Sequence, residues 1–269
     1  MAASFRSLGE LTSPDISRRL KETSILCLPL GAIEQHGPHL PLNTDMVVAE
    51  GLTRAIVARW GEELDLWQLP ALAVGLSREH DWAPGTLSLS IQSFTAVLRD
   101  LAGDIARALP ARNLAIVNGH GGNRGILENL LHELRSAFAL NACVIHPFDL
   151  AKVESTATNA DVHGGKSETS VMLALAPDLV RRDLIERPPK ADPGAVQSMI
   201  FDRGATFPWC TDDPRLAHNG IIGDASEATP ELGRTVIASV VEGARLVFVR
   251  LLENQKRMPA GDDSRRPRG

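Results

Sequence analysis

The chain has 269 residues, with 28 Lys plus Arg against 33 Asp plus Glu, a formal net charge of -5 and 43% hydrophobic residues. A chain of that length and composition folds as one large α/β domain or two smaller ones, and is not disordered. The mild acidity argues against a basic nucleic-acid groove, and the lack of any tyrosine leaves proton transfer to His, Asp, Glu, Lys, Cys or a metal-activated water.

The first residues, Met1 to Arg6, lead into polar sequence without an apolar stretch of signal-peptide length, and the apolar stretch 236–252 is broken by Glu242, Arg245 and Arg250. A cytoplasmic protein without a membrane partner is expected. Cys27, Cys143 and Cys210 are odd in number and widely spaced, which suggests neither a disulfide framework nor a metal knuckle. The apolar run Ile25–Leu30, ended by Gly31, predicts a buried strand. Helical spacing follows over 46–60, then strands at 65–69 and 71–74, a helix over 94–109 and a strand at 114–118. A helix over 126–138, a strand at 142–146 and a helix over 166–176, stopped by Pro177, complete the alternation. From 181 to 232 Pro, Gly and Asp accumulate, predicting a long irregular excursion that covers a site or makes a subunit contact. A last helix spans 231–253, and a disordered tail is expected at 256–269. The alternation is that of a single-domain, three-layer α/β sandwich with a mostly parallel central sheet, its domain spanning 1–255.

Sites in such sheets form beyond the carboxyl ends of the strands, and three of those ends carry unusual residues. After the first strand come Glu34, His36 and, at the start of a helix, Asp45. Glu34 and His36, two apart in extended chain, share one face. Together the three fit a metal-ligand set, against the plainer reading of Asp45 as a helix cap and His36 as a turn residue. After the strand at 114–118 comes Asn118-Gly119-His120-Gly121-Gly122-Asn123. Its glycines let backbone approach closely and leave His120 free to point into a pocket, with a phosphate-cradling turn as the alternative. In the third stretch, 161–170, Gly165-Lys166-Ser167 imitates a nucleotide loop. The glycine such a loop needs is Ala160 here, and the preceding residues are polar, so that reading is rejected. His163 and Glu168 bracket a helix start instead, where one can ligate a metal and the other carry a proton; capping by Ser167 or Asp161 is the bland alternative. His132 and His146 read as structural, while His80 and His218 sit in loops able to line a pocket.

Taken together, LPLGAIEQHGPHLPLNTD at 28–45, EHxxxPGTLSL at 79–89, NGHGGN at 118–123, HGGxxETS at 163–170 and the looser GIIGDASEATPELG at 220–233 resemble the creatininase, or creatinine amidohydrolase, family. The resemblance implies a two-metal site in an α/β sandwich, commonly assembled as hexamers. Glu34, Asp45 and His120 would hold one divalent ion and His36, Asp45 and Glu168 the other, with Asp45 bridging and Zn, Mn or Fe all suited to the donors. It also implies hydrolysis of a C–N amide bond in a small substrate, cyclic or open, by a hydroxide bridging the metals. His163 and Glu34 would be the catalytic side chains, and Glu79, His80, Trp82, Gly121, Gly122 and Asn123 the substrate contacts. Creatininase itself has a carboxylate ligand at the position of Gly122 and an aromatic residue at Gly121, and 154–159 here holds no tryptophan, so creatinine is not the expected substrate. Peptide maturation of the mycofactocin type, deformylation of a formamide nucleotide with Arg78 or Arg124 as the phosphate-binding cation, and a non-catalytic metal-binding role stay open. Trp82 and Trp209 are the nearest aromatic walls.

Overall fold

The computed structural model describes residues 6–152, 161–189, 192–202 and 204–257. Among these, β1 (Ile25–Leu30), β2 (Leu66–Gln68), β3 (Asn113–Asn118) and β4 (Asn141–Ile145) form one sheet in the order β2-β1-β3-β4. Every pairing in it is parallel. The helices are α1 (Ser13–Arg19), α2 (Thr44–Leu64), α3 (Ile91–Ala108), α4 (Arg124–Phe138), α5 (Pro147–Leu150), α6 (Lys166–Leu175), α7 (Pro193–Val196) and α8 (Pro230–Arg257).

The strands are apolar except at their ends, where Gln68, Asn113, Asn118 and Asn141 stand, because both faces of the sheet are covered. Ile25 and Cys27 of β1, with Ala115 and Val117 of β3, pack into one core with α2, α6 and α8. Leu26, Leu28 and Leu30, with Leu114 and Ile116, point the other way into a core with α3 and α4. This period-two division makes the three layers of the sandwich. Complete burial of a side chain such as Ile116 or Phe248 stabilises by about 1.5–3 kcal/mol.

Some boundaries differ from the sequence expectation for local reasons. The stretch 71–74 is not a strand: Leu72 alone bridges to Leu30, and Pro70 beside it has no N–H to extend the ladder. Helix α3 starts three residues early because the Ser90 hydroxyl accepts the Ser93 amide and caps it. Helix α8 continues through Lys256 and Arg257, into the first residues of the expected tail; the rest of that tail lies outside the described residues, as does 154–159. The excursion 181–232 carries its own small cluster of Val196, Leu216 and Ile222. It is stitched to the third motif by reciprocal backbone bonds between His163 and Ile222.

Two glycines at neighbouring strand ends position the site. A Cβ on Gly31 would lie 2.5 Å from Met46 N, and one on Gly119 would lie 2.4 Å from the Asp45 carbonyl oxygen. Only bare backbone at both places lets the first turn of α2 sit against the ends of β1 and β3. That contact is what carries Asp45 to the mouth of the sheet.

Candidate metal centre

The three strand-end motifs converge there. His36 Nδ1 donates to the Glu34 carbonyl at 3.2 Å, since a carbonyl can only accept, and its Nε2 is left 3.1 Å from Asp45 Oδ1 and 3.8 Å from Glu168 Oε2. His120 repeats the arrangement. Its Nε2 donates to the Leu76 carbonyl at 2.5 Å, and its Nδ1 faces Asp45 Oδ2 at 3.2 Å. Imidazoles that hold metals are commonly oriented in this way, with one ring N–H tied to a carbonyl and the other nitrogen turned to the ion's place. The two oxygens of Asp45 thus serve two histidines, one each.

The cluster fits cations by a second criterion. Glu34 Oε1, Glu34 Oε2 and Asp45 Oδ2 are buried and accept no hydrogen bond from the described residues. Buried acceptors left unpaired cost about 1–3 kcal/mol each, more when charged, and a divalent ion among them removes that cost. Donor atoms of Glu34, Asp45 and His120 lie within 4.8 Å of one another, as do those of His36, His163 and Glu168 and those of Glu34, His80 and His163. The first set is the one the resemblance implies. In the second, His163 stands beside His36 and Glu168, with Asp45 reaching in through its contact to His36.

The carboxylates draw positive charge into the pocket. Burial alone would depress both candidate ligand histidines, but Asp45, with Glu168 and Glu34, lifts His36 to about 10. Glu34 and Asp45 lift His120 well above the ordinary imidazole range against the same burial. Burial raises Glu168 to about 7, opposed by His36 and aided by Asp45. For Glu34, burial is outweighed by His120, His80 and His163, and its carboxyl stays well below the usual range. His163 is the exception among the imidazoles: burial, then His36 and His80, push it well below its normal value.

The remaining predicted contacts separate into groups. His80 is buried inside the cluster, 3.2 Å from Glu34 Oε1. Glu79 Oε1 stands 3.5 Å from His120 Nε2. A Cβ on Gly122 would lie 2.5 Å from that same Glu79 oxygen, so the glycine clears the place the carboxylate occupies. Glu79 and Gly122 also line a groove of about 460 Å³ walled by Leu76, Leu89, Ile91 and Ile126. Trp82 is 46% exposed and donates its indole N–H to Thr211. Gly121 faces open space. Asn123 is buried with its carboxamide committed to Leu76 N, the Gly31 carbonyl and Asn118, which makes it a clamp between the loops. Trp209 packs in the satellite cluster, and His218 pairs by backbone with Ile221. Arg78 lines the groove but is paired with Asp81, and Arg124 is paired with Asp149. Sequence reasoning passed over Gln35, which lies among His80, His163 and Thr211. An uncharged amide between two conspicuous ligands gives no chemical signal of its own.

The Creatininase family model, described as creatinine amidohydrolase, matches residues 9–247. A mycofactocin precursor peptide peptidase of Mycobacterium tuberculosis is 34% identical over 241 residues, covering 87% of this chain and 88% of the relative. A creatinine amidohydrolase of Pseudomonas putida is 31% identical over 258 residues, covering 88% of this chain and 93% of the relative. A solved structure described as "Creatininase Mn" superposes with a TM-score of 0.71 at 28% identity, covering 93% of this chain and 99% of that one.

Proposed function

The chain belongs to the creatininase family and is a hydrolase of C–N bonds, and on that premise we propose that it cleaves the amide bond of a small substrate with an apolar arm, using a pair of divalent cations. Glu34, Asp45 and His120 hold one ion, and His36, Asp45 and Glu168 the other; Zn, Mn and Fe all suit these donors. When bound, the ions supply Lewis-acid polarisation of the scissile carbonyl and activation of a water. The observation that carries this reading is the set of buried, unpartnered oxygens on Glu34 and Asp45.

The side chains do the rest. His163 is kept neutral by burial and by its imidazole neighbours. It therefore takes the proton of the attacking water and hands it to the leaving nitrogen, which must depart as an amine. Glu34 faces His163 Nδ1 at 3.5 Å and steadies the imidazolium formed between those two transfers. Substrate enters over Glu79, with its apolar part along Leu76, Leu89 and Ile126.

A second reading, cleavage of a short peptide, is supported by that groove, which is roomy and apolar enough for a peptide side chain. The formamide-nucleotide reading is weakened by the pairing of Arg78 and Arg124 with acids. A cytoplasmic homo-oligomer completes the proposal. The exposed apolar side chains of Leu87 and of Ile91, the latter in the groove wall, support a covering subunit.

A screen of lactams, formamides and short peptides tests the function. Hydrolysis should vanish on chelation and return with Zn, Mn or Fe. Full turnover after chelation, or no turnover of any class with the ions restored, would overturn the proposal.

A further inference from the structure

Gln35 lies between the ligand candidates Glu34 and His36, yet its side chain turns away from the oxygens of the cluster. Its Oε1 accepts the Gly37 amide at 2.9 Å, which fixes the carboxamide with Nε2 on the opposite side. Nε2 has two hydrogens. One goes to the Gly220 carbonyl at 2.9 Å, a group that can only accept. The other faces His80 Nδ1 at 3.0 Å, His163 Nε2 at 3.1 Å and Thr211 Oγ1 at 3.2 Å.

Hydrogen counting decides among these. His163 Nε2 lies 2.8 Å from the Gln35 main-chain carbonyl, so that nitrogen carries the proton and cannot accept from the carboxamide. Thr211 Oγ1 already accepts the indole N–H of Trp82 at 3.0 Å and stands 2.8 Å from His80 Nδ1. Were His80 Nδ1 protonated, it would meet a Gln35 N–H head-on at 3.0 Å. With Nδ1 bare, its one lone pair accepts from Gln35 at 3.0 Å and shares the Thr211 hydroxyl hydrogen, for which this nitrogen at 2.8 Å is nearer than the Glu79 carbonyl at 3.3 Å. The proton of His80 then sits on Nε2, turned toward Glu34 Oε1 at 3.2 Å. His163, protonated on Nε2, turns a bare Nδ1 toward the same oxygen at 3.5 Å. The two rings stack at 4.2 Å, so neither can flip alone.

We infer that Gln35, with Thr211 and the Gly220 carbonyl from the excursion 181–232, is a positioning device that sets His80 and His163 in opposite tautomers around Glu34. One imidazole turns its protonated nitrogen to the Glu34 side of the cluster without completing a hydrogen bond there; the other keeps a lone pair free for proton transfer. Gln35 sets the first through its side chain and the second through its main chain. The excursion thereby contributes to the site, bringing Thr211 and Gly220 from 176 and 185 residues away to finish the Gln35 network.

The inference rests on the hydrolytic reading for its effect on rate, but the tautomers can be observed without any substrate. Long-range ¹H–¹⁵N correlation spectra of the zinc-loaded protein, with His80 assigned by loss of its signals in His80→Gln, should show the His80 proton on Nε2. In Gln35→Glu the amide donor becomes an acceptor of the same shape, and the proton should move to Nδ1. At equal zinc content kcat should fall about 10- to 100-fold with KM nearly unchanged, the usual scale for a group that orients a working imidazole. Should Gln35→Glu fold poorly or lose zinc, Thr211→Val carries the test: it should weaken the His80 Nε2–H tautomer and lower kcat, while Thr211→Ser restores both. A wild-type His80 protonated on Nδ1, or an unmoved tautomer in both Gln35→Glu and Thr211→Val, overturns the inference while leaving the hydrolytic reading standing. A shifted tautomer with unchanged kcat also overturns it.

Discussion

Replacing Asp45 by Asn keeps the shape of the side chain and removes one charge from between two imidazoles. Asp45 Oδ1 lies 3.1 Å from His36 Nε2, and Oδ2 lies 3.2 Å from His120 Nδ1. With charge centres about 4 Å apart and an effective dielectric near 20, each attraction is worth about 4 kcal/mol, or about 3 pKa units. The variant should therefore bring His36 down from about 10 to about 7. A pH titration of the histidine signals in chelator-treated protein reads this directly. The same substitution takes a charged donor from both proposed cation positions, so cation content should fall at both, as measured by elemental analysis. A variant that still binds two cations, with His36 titrating where the parent does, would refute the bridging role of Asp45.

Gly31→Ala should cost about 1–3 kcal/mol in urea unfolding and lower cation affinity, because its Cβ would press on the backbone of Met46 and lift Asp45 away; equal stability and equal affinity would contradict the close approach. His163→Ala should retain both cations and lose about 10²- to 10⁴-fold in kcat, whereas loss of an ion would make His163 a ligand. His39 is held at about 4, chiefly by burial, with His36 adding to the effect. Because its folded value lies below the unfolded one, the stability linked to it is present above about pH 6.5 and lost as pH falls toward 4, on the order of 3 kcal/mol in all. In denaturant titrations between pH 4 and 7, His39→Gln should reduce the acid-induced loss by that amount; parallel curves would remove His39 from the account.

The layers were legible because the strands at Ile25–Leu30 and Asn113–Asn118 are buried on both faces, and two-sided burial writes itself as apolar runs, here Ile25 to Leu30 and Leu114 to Val117. Glu34, His36, Asp45, His120, His163 and Glu168 stood out because ionisable residues at strand ends need a reason, and the fold brings all six together. Gln35 carries no charge, and its meaning comes from Thr211 and Gly220, partners that no local pattern connects to it. Asn123 shows the opposite case. Its polarity beside His120 suggested a substrate contact, while its amide is committed to loop backbone and Asn118. The excursion 181–232 has little periodicity to read, because its order comes from contacts to His163 and Gln35 more than from a core of its own.

Anomalous diffraction from crystals of the protein loaded with zinc or manganese tests the central claim most directly. Two peaks are predicted, one enclosed by Glu34, Asp45 and His120 and one by His36, Asp45 and Glu168, with Asp45 touching both. Absence of any peak in this cluster, or a lone peak among Glu34, His80 and His163, would contradict it.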